Sequence, residues 1–271
     1  MRRSIFHYTA AQLTPYIAWD YFFHAWGIKP SEAGSEKAQE VKHDAERLLA
    51  AHSKEIVAGA LFALCDTTSR GDDIIIEDTK LPLLRQQHNR PGEPNLCLSD
   101  FVSPRGDKMG LFATTVSGFF ATESNGDTYK NLLTQTVASR IAEAAATLLH
   151  KEVRTDINLW GYAPNEQLTP AQLNAEENCG IRPAIGYPSL PDQSVIFTVD
   201  SLLDLQEIGI TLTANGAMQP HASVCGLMIA HPAARYFAVG PISDEQLHDY
   251  AQRRAVSTEY LHKFLYKNLQ K

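Results

Sequence analysis

The segment 128–154, TYKNLLTQTVASRIAEAAATLLHKEVR, constrains this fold more than any other. Leu133, Val137, Ile141, Ala144 and Leu148 recur at helical spacing, so the segment predicts a long amphipathic helix. A second such helix is expected over 35–56, with Ala38, Val41, Ala45, Leu48 and Leu49 on one face, and an aromatic-rich helix over 16–28. The apolar run IVAGALFALCD reads as a buried strand, GDDIIIED as turn and strand, and NLCLSDFVSP and KMGLFATTVSGFF as two more strands. Thr169-Pro170-Ala171-Gln172 is a capping box with proline in the first helical position, opening a short helix that ends near Gly180. SVIFTVDSLLDL reads as helix, and ASVCGLMIA and RYFAVGPI as a hairpin turning at HPAA. Ser243-Asp244-Glu245-Gln246 caps a helix over EQLHDYAQRR, and a last helix starts near Ser257. Helices and strands mix without regular βαβ alternation, which predicts an α+β class. The expectation is one domain over 1–271, with a helical N-terminal part about 1–57 and a mixed α/β remainder.

Composition narrows the function. A net charge of -7 argues against nucleic-acid binding, which needs a basic surface to neutralise phosphates. No run of about 18 apolar residues exists to span a membrane. The start, MRRSIFHYTAAQL, has no apolar core of a signal peptide. Cys65, Cys97, Cys179 and Cys225 lie far apart without a C-x-x-C pair, which disfavours a zinc site or a disulfide framework. A cytoplasmic location is therefore expected. Neither a Walker loop, nor G-x-G-x-x-G, nor G-x-S-x-G is present.

One stretch stands apart: GIRPAIGYPSLPD, residues 180–192. Pro183, Pro188 and Pro191 fix φ and remove donors, while Gly180 and Gly186 permit shapes that a Cβ forbids. The result is a stiff strip. It serves either as a rigid connector or as a platform on which Arg182 clamps a carboxylate and Tyr187 offers a flat face. Glu143, off the apolar stripe of its helix, reads by default as a solvated carboxylate. Tyr236 and Phe237, adjacent on an expected strand, should face opposite ways. His24 and Gly27 do not form the D-x-H-x-x-G loop of corrinoid carriers, because Asp20 precedes His24 by four residues rather than two.

Taken together, YIAWDYFFHAW, GDDIIIED, LLRQQ, CLSDFVSP, GLFATT, RIAEA, WGYAPNE, GIRPAIGYPSLPD, GITLTANGAMQPHASVCG, HPAARYFAVG and DYAQRR resemble, in order, the activation domain of cobalamin-dependent methionine synthase. The resemblance runs from about residue 16 to 254 and rests most on WGYAPNE and the R-P-A-x-G-Y-P strip. It implies a C-shaped α+β domain with a twisted antiparallel sheet flanked by helices. It also implies binding of S-adenosylmethionine, and reductive methylation of cob(II)alamin carried by a partner. Matching positions imply that Arg182, Ala184, Gly186, Tyr187, Tyr236, Phe237 and Glu143 hold S-adenosylmethionine, and that Tyr187 and His221 face the corrinoid. The homocysteine, methyltetrahydrofolate and cobalamin domains of the full-length enzyme are absent from this sequence. The expectation is thus a free-standing reactivation subunit, acting with a corrinoid-binding methionine synthase chain or related methyltransferase and a reductase or flavodoxin-like electron donor. The alternative is a non-catalytic S-adenosylmethionine-binding or docking module. Three positions depart from the family pattern: Ala18 stands where an acidic ligand contact is usual, and Gln219 and His221 replace a tryptophan and a glycine.

Overall fold

The computed structural model describes residues 1–88, 92–117 and 127–269. Its first element corrects the expectation of a helical start: β1 (Arg2–Thr9) is a strand, with Tyr8 buried and Ile5 and His7 exposed. Alternation of this kind is the mark of a half-buried strand. After it come α1 (Ala10–Leu13), a 3-10 turn at Thr14–Tyr16, α2 (Trp19–Ala25) and α3 (Glu36–Ala51). Ser35 caps α3 by accepting the Ala38 amide at 3.2 Å, and Ala38, Val41, Ala45 and Leu49 form its buried face.

The apolar run after Ile56 becomes β2 (Val57–Arg70), the longest strand among the described residues. It is followed by β3 (Asp73–Ile76), β4 (Thr79–Pro82) and β5 (Asp107–Ser117). The last residues of the segment expected to extend β5, 118–120, lie outside the described residues. Next are α4 (Thr128–Thr155), α5 (Pro170–Asn174), α6 (Val195–Leu203), the small pair β6 (Thr211–Leu212) and β7 (Met218–Gln219), β8 (Ser223–Met228), α7 (Asp244–Arg254) and α8 (Thr258–Leu265). Among the described residues, six strands form one antiparallel sheet in the order β4-β3-β2-β5-β8, with β1 paired to the first half of β2. The fold is α+β, a curled antiparallel sheet flanked by helices.

Both faces of the sheet are covered, which is why β2 and β5 read as continuous apolar runs rather than alternating ones. Ala58, Ala60, Phe62, Phe112 and Val116 point to the side of α3 and α4. Leu61, Ala63, Cys65, Leu111 and Ala113 point to the side of α6. On α4 the run of Ala142, Ala144, Ala145 and Ala146 is buried, and Thr114 on β5 donates to the Ala142 carbonyl at 2.9 Å. A third apolar cluster joins α7 and α8 through Leu247, Tyr250, Leu261 and Leu265. No helix among the described residues is long and apolar enough to cross a membrane.

Three local expectations fail for identifiable reasons. The segment expected as a strand around Cys97 is a 3-10 turn at Leu98–Phe101, because Asp100 folds back to accept the Cys97 amide at 2.8 Å and is itself held by Arg85. The helix opened by Thr169 stops at Asn174, and Glu176 then takes a left-handed φ of 57°. Residues 235–242 do not pair with β8 as a hairpin. That edge is already taken by the proline-rich strip, through bridges Ile181↔Ile229 and Ala184↔Gly226. Backbone amides of the 235–242 segment turn instead to the far side of the strip, Phe237 to Ser189 Oγ at 3.1 Å and Val239 to the Pro188 carbonyl at 2.9 Å.

Candidate functional site

The strip is therefore wedged between β8 and the segment carrying Tyr236. Its approach to β8 depends on Gly226, where an added Cβ would lie 2.9 Å from both Ala184 Cα and Phe112 Cε1. Its far end is locked by Asp192, 1 % exposed, which accepts from Ser194 Oγ at 2.6 Å, from Tyr250 OH at 2.9 Å and from Arg254. Its near end is tied to α4 through Glu166, which pairs with buried Arg154 at 2.6 Å and accepts the Cys179 amide at 3.1 Å. The family-like motifs WGYAPNE and DYAQRR thus act as clamps on the strip: Tyr162 and Glu166 come from the first, Tyr250 and Arg254 from the second.

Between the clamped strip and α4 opens a cleft of about 490 Å³. From α4 it receives Arg140, Glu143 and Thr147, which share one face at helical spacing. Tyr16, Ala18 and Tyr21 wall one side, and Leu173, Asn174 and Glu176 another. Arg182, Pro183, Ala184, Tyr187, Pro188 and Ser189 supply the strip, joined by Tyr236 and Phe237.

Polar contacts inside the cleft are already made. Arg182 Nη1 lies 3.4 Å from Glu143 Oε2, and Nη2 donates to Thr147 Oγ1 at 2.9 Å. Tyr187 OH donates to Glu143 Oε1 at 3.0 Å, and the Arg182 amide donates to Tyr236 OH at 3.0 Å. The Glu143 charge, with burial and their hydrogen bond, pushes the Tyr187 phenol up to about 12. Burial also raises Tyr236. Burial lifts the Glu176 carboxyl above its ordinary range, against the pull of Arg182. Beneath, fully buried His150 hydrogen-bonds Tyr162 OH at 2.9 Å; burial and the Arg154 and Arg182 charges hold it far below its ordinary value, hence neutral.

Of the residues expected from sequence, Glu143, Arg182, Ala184, Tyr187, Tyr236 and Phe237 meet in this cleft. Glu143 is half-buried and paired, not a solvated carboxylate. Tyr236 and Phe237 both line the cleft, since their segment is not a strand and need not alternate. Gly186 does not line it; its φ of 84° makes the turn that presents Tyr187. His221 is exposed, just ahead of β8, and is not among the lining residues. Ala18 lines the cleft while Asp20 is exposed and outside it, so the nearby aspartate does not replace a carboxylate at position 18. Sequence reasoning missed Tyr21, Arg140 and Glu176. Arg140 was legible as the residue one turn before Glu143, whereas Glu176 depends on a helix stop that the capping box does not reveal.

This geometry suits a ligand with an aromatic part and charges of both signs. Residues 9–255 match the family described as vitamin B12 dependent methionine synthase, activation domain. Among solved structures the chain is similar to a crystal structure of the MetH reactivation domain bound to AdoHcy, at 34% sequence identity and a TM-score of 0.91, covering 100% of this chain and 91% of that one.

Proposed function

Because the chain belongs to the activation-domain family of vitamin B12-dependent methionine synthases, we propose that its cleft seats S-adenosylmethionine and serves the reactivation of a cobalamin bound by a partner. The observation that carries this reading is the convergence of Arg182 and Tyr187 on Glu143, each donating a hydrogen bond to one of its carboxylate oxygens, beside the backbone of a clamped strip. A sulfonium is a permanent cation, and Glu143 and Glu176 place carboxylates on the cleft wall where one would be stabilised. The faces of Tyr187, Tyr236 and Phe237 offer stacking area for adenine, and strip backbone offers it hydrogen bonds. Gly186 contributes through the turn, not through contact.

A corrinoid held by a docked partner and supplied with one electron by a reductase or flavodoxin-like donor would provide the methyl acceptor, while Glu143, Arg182, Tyr187 and Tyr236 of this chain would hold the S-adenosylmethionine that provides the methyl, with S-adenosylhomocysteine as the other product. The residues of this chain bind the methyl donor, orient its sulfonium and leave its methyl toward the open mouth of the cleft. Tyr187, 52% exposed, stands at that mouth and is the residue we assign to the corrinoid side. His221 joins that assignment only as an outer docking residue.

Calorimetry with S-adenosylmethionine tests the first step. Purified protein that is folded but takes up no ligand at millimolar concentration would overturn the reading. Adding a cob(II)alamin-loaded corrinoid protein and a low-potential reductant tests the second, followed by the spectrum of methylcobalamin. Ala18 favours a second reading, a binding or docking module without methyl transfer, since it puts a methyl where a carboxylate is usual in the family. Ligand uptake with no methylcobalamin formed would select that reading.

A further inference from the structure

The sheet ends at β1 in an open edge. β1 pairs with β2 over Arg2–Thr9 without interruption, and no second strand among the described residues pairs with it. Alternate amides and carbonyls of β1 therefore point away from β2 with no ladder partner. Proline or a bulge usually blunts such an edge, and β1 carries neither. Arg3, a charge that could guard it, is drawn instead onto Glu207 and the Leu203 carbonyl. Ile5 stands 44% exposed at the middle of the strand.

Beside this edge lies a groove of about 590 Å³ between β1 and the end of α4, lined by Phe6, Tyr8, Glu152 and Asp156. It is acidic and lacks a cation. Glu152 is held by Tyr8 OH, neither carboxylate forms an ion pair among the described residues, and burial lifts the Glu152 carboxyl above its ordinary range. The missing charge sits at the other end of the same strand. Arg2 shares a face with Tyr8 by alternation, is exposed, and its side chain makes no hydrogen bond or ion pair among the described residues.

We propose that β1 is a dimerisation edge, on which a second copy of this chain adds its own β1 antiparallel and sets Arg2 against Glu152 and Asp156. A two-fold axis perpendicular to the sheet at Ile5 pairs Ile5 with itself, Ser4 with Phe6 and Arg2 with Tyr8 of the partner. Arg2 then enters the acidic groove of the partner, and symmetry repeats the contact on the other side of the axis. On the opposite face the two Ile5 side chains cover each other. β1 contributes no residue to the cleft beside the strip, so the pairing needs no ligand.

Sedimentation velocity from about 1 to 100 μM, a span that brackets a micromolar Kd, should show the parent passing from one chain to two. Ile5→Lys places two ammonium groups face to face at the axis and should sediment as a single chain throughout. Arg2→Glu should raise the dimer Kd about a hundredfold, tenfold for each of two symmetric contacts. Adding Asp156→Lys to Arg2→Glu should recover part of that loss. Melts of the single variants in dilute solution should match the parent, because each changes an exposed side chain. Register is read by mild oxidation, with the parent as blank. Ile5→Cys should cross-link to its own copy, whereas His7→Cys, about 14 Å from its copy in this register, should not. A parent that stays a single chain at the highest concentration overturns the proposal. So does a dimer untouched by Ile5→Lys or by Arg2→Glu, or cross-linking of His7→Cys as ready as that of Ile5→Cys.

Discussion

At the scale of single residues, the cleft is a set of titrations that constrain one another. Glu143 is the leading cause of the raised Tyr187 phenol, so Glu143→Gln should let Tyr187 titrate nearer the ordinary value of about 10. Carbon-labelled tyrosine followed by NMR reads this directly. The sign for stability follows. A phenol held at about 12 binds its proton more tightly in the folded chain, so its contribution is intact below pH ~10 and is lost as pH rises toward 12. Glu176 acts in the other range. Its carboxyl is raised by burial, and a cationic ligand favours its ionised form. Affinity for S-adenosylmethionine should therefore fall as pH falls through the raised Glu176 value, and Glu176→Gln should flatten that dependence. Ala18 has a further role to test. It is the N-cap of α2, with no side chain to cap it. Ala18→Asp should stabilise the apo protein by about 1 kcal/mol through the cap alone. Denaturation with and without ligand separates that gain from any gain in binding.

At the scale of elements, the strip is held by its clamps. Asp192→Ala leaves Arg254 buried without its carboxylate and should cost about 3–5 kcal/mol in urea unfolding, far more than a surface ion pair. Gly226→Ala should displace the strip from β8, lowering ligand affinity and costing about 1–3 kcal/mol of stability. The same elements show what is legible in sequence. Helices α3, α4, α6, α7 and α8 carry local signals, a period and often a cap, and these survive in the structure. The strands β2 and β5 were legible because burial on both faces leaves an unbroken apolar run. The segments around Cys97 and Phe237 were misread because their amides are satisfied outside any sheet, by the Asp100 side chain three residues on in one case and by the strip in the other. The strand β1 alternates plainly but is short of apolar residues, and its pairing with β2 is a long-range fact. In the cleft, residue types on α4 and the strip were legible, while Glu176 enters it through the turn after α5 and Tyr21 through the packing of α2 against α4, neither of which local patterns encode.

At the scale of the whole molecule, the cleft draws on α2, α4, the strip and the segment carrying Tyr236, parts that belong to different apolar clusters. A ligand seated there bridges them, so S-adenosylmethionine at about a hundredfold its Kd should add about 2.7 kcal/mol. For a chain of 271 residues that is roughly 5 °C in Tm, read by differential scanning fluorimetry. A free amine or adenosine alone at the same concentration should shift it less. The strip itself behaves as a ruler. It is pegged at Ile181 and Ala184 to β8 and at Asp192 to α7, with Tyr187 at a fixed mark between the pegs. Length, more than composition, is then what this segment cannot change. Adding or deleting one residue between Ala184 and Asp192 moves Tyr187 off Glu143 while the pegs hold, which yields a folded protein with a mute cleft. The same change between Pro30 and Gly34, in the turn before α3 and outside the pegs, leaves the mark where it was.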